Sequence, residues 1–102
     1  MGMIETTVDI PAEHQANVFG QFDAFAKKIE RTLHVTLIAR DDTVKILGEE
    51  AVALQAKSVL EQLTALARRG NQIQEQNVNY TLALSMEQSE GKVLEIDDDI
   101  IC

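Results

Sequence analysis

Five basic residues near the middle of the chain have the chemistry needed to bind phosphate groups, because lysine and arginine neutralise the charges that dominate nucleic-acid affinity. They follow a turn, Gly20-Gln21-Phe22-Asp23, whose glycine would let an anion approach the backbone closely. The candidate contacts for a single-stranded nucleic acid are therefore Gly20, Gln21, Lys27, Lys28, Arg31, Arg40 and Lys45. The alternative is that the basic residues form an ordinary solvated surface.

The last residue of the turn argues against phosphate binding there. Asp23 would place a carboxylate where a phosphate must approach the amides of the next helix. The same carboxylate can accept hydrogen bonds from those amides, so we predict Asp23 as the helix N-cap. Neither Gln21 nor Phe22 is basic. The turn is thus expected mainly to serve folding, and Ile38 and Ile46 are the candidates to line a binding groove.

Length and composition describe a single domain with an acidic balance. The chain has 102 residues, 45% of them hydrophobic, and a net charge of −8. No stretch of the sequence is apolar enough for a membrane span, and the N-terminus lacks the features of a secretory signal. Cys102 is the single cysteine, which excludes an internal disulfide and fits a reducing cytoplasm. We therefore expect a cytoplasmic protein with no membrane partner.

The acidic residues are concentrated at the C-terminal end of the sequence, so the net charge of the whole chain does not exclude nucleic-acid binding elsewhere. From Gly20 to Gly48 there are five basic and four acidic residues. From Glu87 to Cys102 there are six acidic residues and one lysine. The segment that would contact a ligand is therefore nearly neutral, and the end of the chain is predicted to be an acidic linker.

Hydrophobic periodicity predicts alternating helices and strands. The predicted elements are strands at 6–10, 35–40 and 43–47, with helices at 12–19, from the N-cap Asp23 to Leu33, and at 49–69. The second helix is expected to bury Phe22, Phe25, Ala26, Ile29 and Leu33, and the third Val52, Ala56, Val59, Leu60, Leu63 and Ala67. His34 ends the second helix in a position where a left-handed residue is common. A further short strand is predicted at 92–96.

The sequence offers no arrangement of residues that is typical of a catalytic site. His14 and His34 lie on different elements, with no cysteine or paired acid at metal-ligand spacing. The sequence holds no GxxxxGK[ST] loop for a mononucleotide, and its serines have no evident general base. We expect no catalytic residue, metal ligand or cofactor in this chain.

The order β-α-α-β-β-α, with a turn between the first two helices, resembles a type I K-homology (KH) domain. This α+β fold has a three-stranded antiparallel sheet packed by helices, and such a domain binds four single-stranded nucleotides beside a GXXG loop. The resemblance implies a KH-like domain at 5–70, followed at 71–102 by a short helix and an acidic linker. Alternation at 75–87 on its own favours a strand there.

More specifically, the stretches at 17–23, 29–35 and 48–52 resemble the N-terminal domain of bacterial PhoH-like (phosphate starvation-inducible) proteins. This resemblance implies a helix rather than a strand at 75–87. It also implies that the chain is the N-terminal piece of a cytoplasmic protein whose following P-loop ATPase domain binds ATP and Mg²⁺. Members of that family are suspected of ATP-driven RNA unwinding or of RNA cleavage.

Two functions remain open from the sequence. The first is an RNA-binding KH-like domain that positions single-stranded RNA, bound weakly, for the attached ATPase. The second is an interaction module that packs against its own ATPase domain or a neighbouring subunit of an oligomer. Under the second hypothesis, apolar residues such as Ile38 or Leu66 matter for assembly, and the lysines do not.

Overall fold

The computed structural model describes residues 2–86, which form one antiparallel sheet and four α-helices. The first six elements are β1 (Met3–Asp9), α1 (Ala12–Phe19), α2 (Ala24–Leu33), β2 (Thr36–Arg40), β3 (Thr43–Glu49) and α3 (Glu50–Arg68). A 3-10 turn over Gln21–Asp23 joins α1 to α2, and a fourth helix, α4, extends through residues 75–86. The strand predicted at 92–96 and the acidic segment after it lie outside the described residues.

The three strands are arranged in the order β1-β3-β2, with β3 antiparallel to both neighbours. β1 begins earlier than the predicted position 6, because Met3 already pairs with Glu49 of β3. The α+β class and the element order β-α-α-β-β-α are confirmed, with α4 following.

The hairpin between β2 and β3 is tied to the start of α1. Its turn consists of Asp41 and Asp42, as predicted, with Asp41 in a left-handed conformation (φ 44°). The Asp42 carboxylate accepts a hydrogen bond of 2.8 Å from the amide of Ala12, and the Gln15 side chain donates to the Asp41 carbonyl at 2.6 Å. These hydrogen bonds therefore fix the position of the hairpin relative to α1.

The core lies between the sheet and the helices. Val44 and Ile46 of β3 are fully buried, and Val8 of β1 lies opposite Val44. The buried stripe of α3 contains Ala53, Ala56, Val59, Leu60, Leu63 and Ala67. These apolar residues match the predicted stripe except at its first position, where Ala53 is buried and Val52 only partly so. The helix also buries Thr64, which was not predicted.

The helix α2 buries Ala26, Ile29 and Leu33 as predicted, and Phe25 packs partly against the core. It ends at Leu33, and the left-handed backbone of its C-cap His34 (φ 59°, ψ 47°) confirms the predicted helix end. The prediction that Phe22 is buried with these residues was wrong, because its side chain is exposed.

Residues 75–86 form a helix, so the alternating pattern was misleading there and the resemblance was right. Val78 and Leu82 are buried four residues apart on one helical face, while Tyr80 between them is 67% exposed. The Asn17 side chain holds the preceding connection, because it donates to the Asn71 carbonyl and accepts from the Ile73 amide, both at 2.8 Å. Within residues 2–86 no helix combines the length and apolarity needed to cross a membrane.

Candidate nucleic-acid interface

Gly20 is required by the packing of the turn. Its backbone (φ 81°, ψ 174°) lies in a region that is essentially restricted to glycine. A Cβ atom at this position would stand 2.6 Å from Cδ2 of Phe25. The absence of a side chain therefore makes room for the Phe25 ring, which gives this glycine a structural role.

The next residues of the turn correct two predictions. Phe22 and Asp23 are both left-handed (φ 56° and 58°), a conformation that costs non-glycine residues about 1–2 kcal/mol each. Asp23 occupies the predicted N-cap position of α2, but its backbone is left-handed where an N-cap residue is usually extended, and its side chain makes no capping hydrogen bond. The left-handed turn also carries Phe22 off the buried face of α2, leaving it 83% exposed.

A groove of about 150 Å³ separates α2 from β2. Asp23, Lys27 and Glu30 supply its charged groups, and it is lined by Phe19, Asp23, Ala26, Lys27, Glu30, Leu37 and Ala39. The prediction that Ile38 and Ile46 line the groove was wrong. Ile46 is fully buried in the core, and strand alternation places Ile38 on the opposite face of the sheet from Leu37 and Ala39.

Glu30 partly closes the open edge of the sheet at this groove. Its Oε2 atom accepts a hydrogen bond of 2.8 Å from the amide of Leu37, on edge strand β2. Because the backbone groups of a strand alternate in direction, the amide of Ala39 faces the same open edge. With two carboxylates and one lysine, the groove is better suited to polar base edges than to phosphates.

The basic residues of α2 line a second, larger cleft of about 470 Å³. Its lining residues are Ala24, Lys27, Lys28, Arg31, Thr32 and Glu75. The Nζ atom of Lys28 lies 3.2 Å from Oε2 of Glu75 on α4, an exposed ion pair of the kind that contributes about 0–1 kcal/mol. Within residues 2–86, Lys27 and Arg31 have no such partner.

The structure does not bring the seven candidate residues together. Gly20 and Gln21 lie in the turn that precedes the basic stretch of α2. Arg40 and Lys45 belong to the face of the sheet turned away from the helices, since the alternate residues Val44 and Ile46 are buried. On that face the Nζ atom of Lys45 lies 3.3 Å from Oε2 of Glu5. The predicted set therefore divides between two surfaces.

Of the seven groove residues only Lys27 was among the candidates, and the missing ones include Glu30, Leu37 and Ala39. A signal for two of them was present, because the alternation of Val35, Leu37 and Ala39 places them on the helix-facing side of β2. No local pattern marks the bond from Glu30 to the strand. Within residues 2–86, no three histidine, cysteine, aspartate or glutamate side chains are grouped as metal ligands. The sequence also offers no P-loop residues to which an ATP contact could be assigned.

A protein of unknown function from Aeropyrum pernix shares the fold in its crystal structure. The two superpose with a TM-score of 0.68 over 97% of this chain and 55% of the other, at 16% sequence identity. This likeness concerns the fold alone.

No protein-family model matches the chain. It is 32% identical over 69 residues to a PhoH-like protein of Bacillus subtilis, covering 68% of this chain and 22% of that protein. It is 26% identical over 97 residues to a PhoH-like protein of Mycobacterium tuberculosis, covering 92% of this chain and 28% of that protein. The chain thus spans between 22% and 28% of the length of these relatives. Together these matches identify the chain as a PhoH-like domain.

Proposed function

We propose that this chain is a non-catalytic domain that binds single-stranded RNA within a longer PhoH-like protein. The observation that supports this most strongly is the convergence of Lys27, Lys28 and Arg31 on one cleft along α2. Lys27 also lines the adjoining groove, so one side chain borders both surfaces. A strand whose phosphates follow the basic cleft would bring its bases within reach of the groove.

The expected affinity is low. Three neutralised phosphates on a single strand give a slope of about −2 in a plot of log K against log salt concentration. Asp23 and Glu30 oppose a phosphate at the groove, and Glu75 offsets part of the charge of Lys28. Weak binding of this kind suits a domain that positions RNA for another part of the protein.

In this proposal the chain is the N-terminal piece of a cytoplasmic protein, with the KH-like unit at 5–70 and residues 71–102 leading toward an ATPase domain. The lengths of the PhoH-like relatives support a longer parent, since the chain spans at most 28% of those compared. ATP and Mg²⁺ would bind to the ATPase domain, and RNA would be presented to it for unwinding or cleavage.

Charge reversal on α2 tests the RNA site against a matched control. We expect Lys27→Glu with Lys28→Glu to weaken the binding of labelled single-stranded RNA at least about tenfold and to flatten the salt dependence. Arg40→Glu with Lys45→Glu changes the net charge equally on the other face of the sheet, and should change affinity only a few-fold, about what long-range repulsion gives. Fluorescence anisotropy at low and moderate salt measures both. The proposal would be contradicted if the two double variants lost RNA affinity equally, or if the wild-type chain bound no RNA.

Neutralising the turn should have the opposite effect. Asp23→Asn removes the negative charge while keeping a residue type that tolerates the left-handed backbone. We expect RNA affinity to rise roughly 2- to 5-fold, the size of one screened repulsion near the protein surface. Thermal unfolding serves as the control and should change little, because Asp23 makes no capping hydrogen bond. Unchanged affinity would mean that the strand passes far from the turn.

A protein-docking role is the second candidate, and the open face of the sheet favours it. Among the described residues the helices cover one side of the sheet, and Ile38 and Leu47 are half-buried on the other, where Met3 is 72% exposed. The other residue predicted for docking, Leu66, packs partly against the core. If Ile38→Glu disrupts association with the remainder of the parent protein while RNA binding is unchanged, this face is the interface.

A further inference from the structure

We infer that Phe22 is a stacking platform for one base of the bound strand, an inference that rests on the proposed RNA-binding function. Phe22 is the most exposed of the large hydrophobic side chains of the described residues, at 83%. Aromatic rings bind bases of single strands by stacking, which tolerates many sequences because every base has a π-face. The turn would then contribute contacts to a base in place of contacts to phosphate.

The position of Phe22 joins the two candidate surfaces. The next residue, Asp23, lines the groove between α2 and β2, and the one after it, Ala24, lines the basic cleft. Phe22 therefore directly precedes the first residues of α2 that line the groove and the cleft, although it lines neither itself. A base stacked on it would belong to a strand whose backbone continues along Lys27, Lys28 and Arg31.

The charge of the turn favours a base over a phosphate. Asp23 repels an anion at the first turn of α2, whereas a base is neutral and its amino groups can donate to a carboxylate. Gly20, the one residue of the turn without a side chain, has that space filled by the Phe25 ring. The flat face of Phe22 is thus the part of the turn best suited to a nucleic acid.

The surroundings of Phe22 favour a base over a protein partner as well. Its neighbours Gln21, Asp23 and Ala24 are exposed, and none is a large apolar residue. Protein interfaces usually centre on a cluster of buried apolar anchors, which this turn does not offer. An isolated aromatic beside basic residues is instead typical of surfaces that bind single strands.

The full 102-residue chain contains no tryptophan, which permits a direct test. Phe22→Trp places one indole in the turn, and we expect its fluorescence to be quenched when an oligouridine or oligoadenosine is added. Tyr80→Trp is the matched control, since Tyr80 is also exposed, at 67%, but lies on α4. Its fluorescence should not respond. An abasic oligonucleotide of the same length should quench neither variant.

Binding of the same probes separates stacking from charge. Phe22→Ala should weaken oligonucleotide binding roughly 5- to 100-fold without changing the salt slope, because no phosphate contact is lost. Lys28→Ala should weaken binding and flatten the slope. Phe22→Tyr should restore most of the affinity lost in Phe22→Ala. Folding of each variant is checked by circular dichroism.

The outcomes distinguish this inference from the function on which it rests. If the wild-type chain binds RNA and Phe22→Ala binds equally well, the stacking role is wrong and the RNA-binding proposal stands. If the wild-type chain binds no RNA, both fail. If Phe22→Ala instead abolishes a concentration-dependent self-association, Phe22 is a protein contact and the stacking role is overturned.

Discussion

Gly20→Ala is expected to lower the free energy of unfolding by about 2–5 kcal/mol. Two effects act together at this position. The backbone (φ 81°, ψ 174°) is one that alanine rarely adopts, and the new methyl group would meet the Phe25 ring at 2.6 Å. Because domains of this size are typically stable by only about 5–15 kcal/mol, a large part of the stability is at risk. Urea unfolding followed by circular dichroism measures the change.

Two other glycines separate these effects. Gly70 has a positive φ of 92° and open space where a Cβ would lie, so Gly70→Ala reports the backbone cost alone. Gly48 has no positive φ, but its Cβ would stand 2.8 Å from Cγ1 of Val35, so Gly48→Ala reports crowding alone. We expect Gly20→Ala to exceed either control. If it costs no more than Gly70→Ala, the Phe25 ring moves aside freely and Gly20 is not fixed by packing.

Leu60→Ala is expected to destabilise the domain by about 2–5 kcal/mol. Leu60 has no exposed surface and lies on the stripe of α3 that packs against the sheet. Truncation would remove apolar contacts and leave a cavity that the surrounding strands and helices can fill only partly. The midpoint of urea unfolding should fall accordingly, with little change in its slope.

Leu54→Ala is the matched control on the same helix. Leu54 is 50% exposed, so the same substitution should change the free energy of unfolding by less than about 1 kcal/mol. The difference between the two variants then measures burial, because helix propensity and side-chain chemistry are equal. Equal losses at both positions would show that α3 is held by something other than its buried stripe.

Regular elements of the fold could be predicted from local patterns. The helix predicted at 12–19 has the observed bounds of α1, and the hairpin turn at Asp41-Asp42 was also correct. These elements have clear periodicity and strong end signals, such as Pro11 before α1. Where side-chain preference and backbone geometry agree, the sequence is sufficient to predict the type and bounds of an element.

The turn before α2 could not be predicted because residue preference and backbone geometry disagree there. Phe22 fits the apolar spacing of α2, but its left-handed backbone excludes it from the buried face. Asp23 stands at the predicted N-cap position, yet with a φ of 58° its side chain makes no capping hydrogen bond. The sign of φ at these positions is set by the closure of the turn, which has no sequence signature.

Contacts between distant parts of the chain hold the connection to α4, whereas the division of the candidate site follows from local strand alternation. Asn17 fixes the connection at Asn71 and Ile73, which local periodicity does not reveal. Strand alternation, in contrast, was available from the sequence. Applied to Arg40 and Lys45, it places both on the sheet face opposite the helices, away from the lysines of α2.

The hydrogen bond between Glu30 and the amide of Leu37 bears on self-assembly of the sheet. β2 is an edge strand, and exposed edges are the usual starting points of aggregation. A strand from another molecule approaching β2 would have to displace this carboxylate and enter a groove that also holds the charge of Asp23. The same acidic groups that disfavour a phosphate in the groove therefore also disfavour edge-to-edge pairing of the sheet at β2.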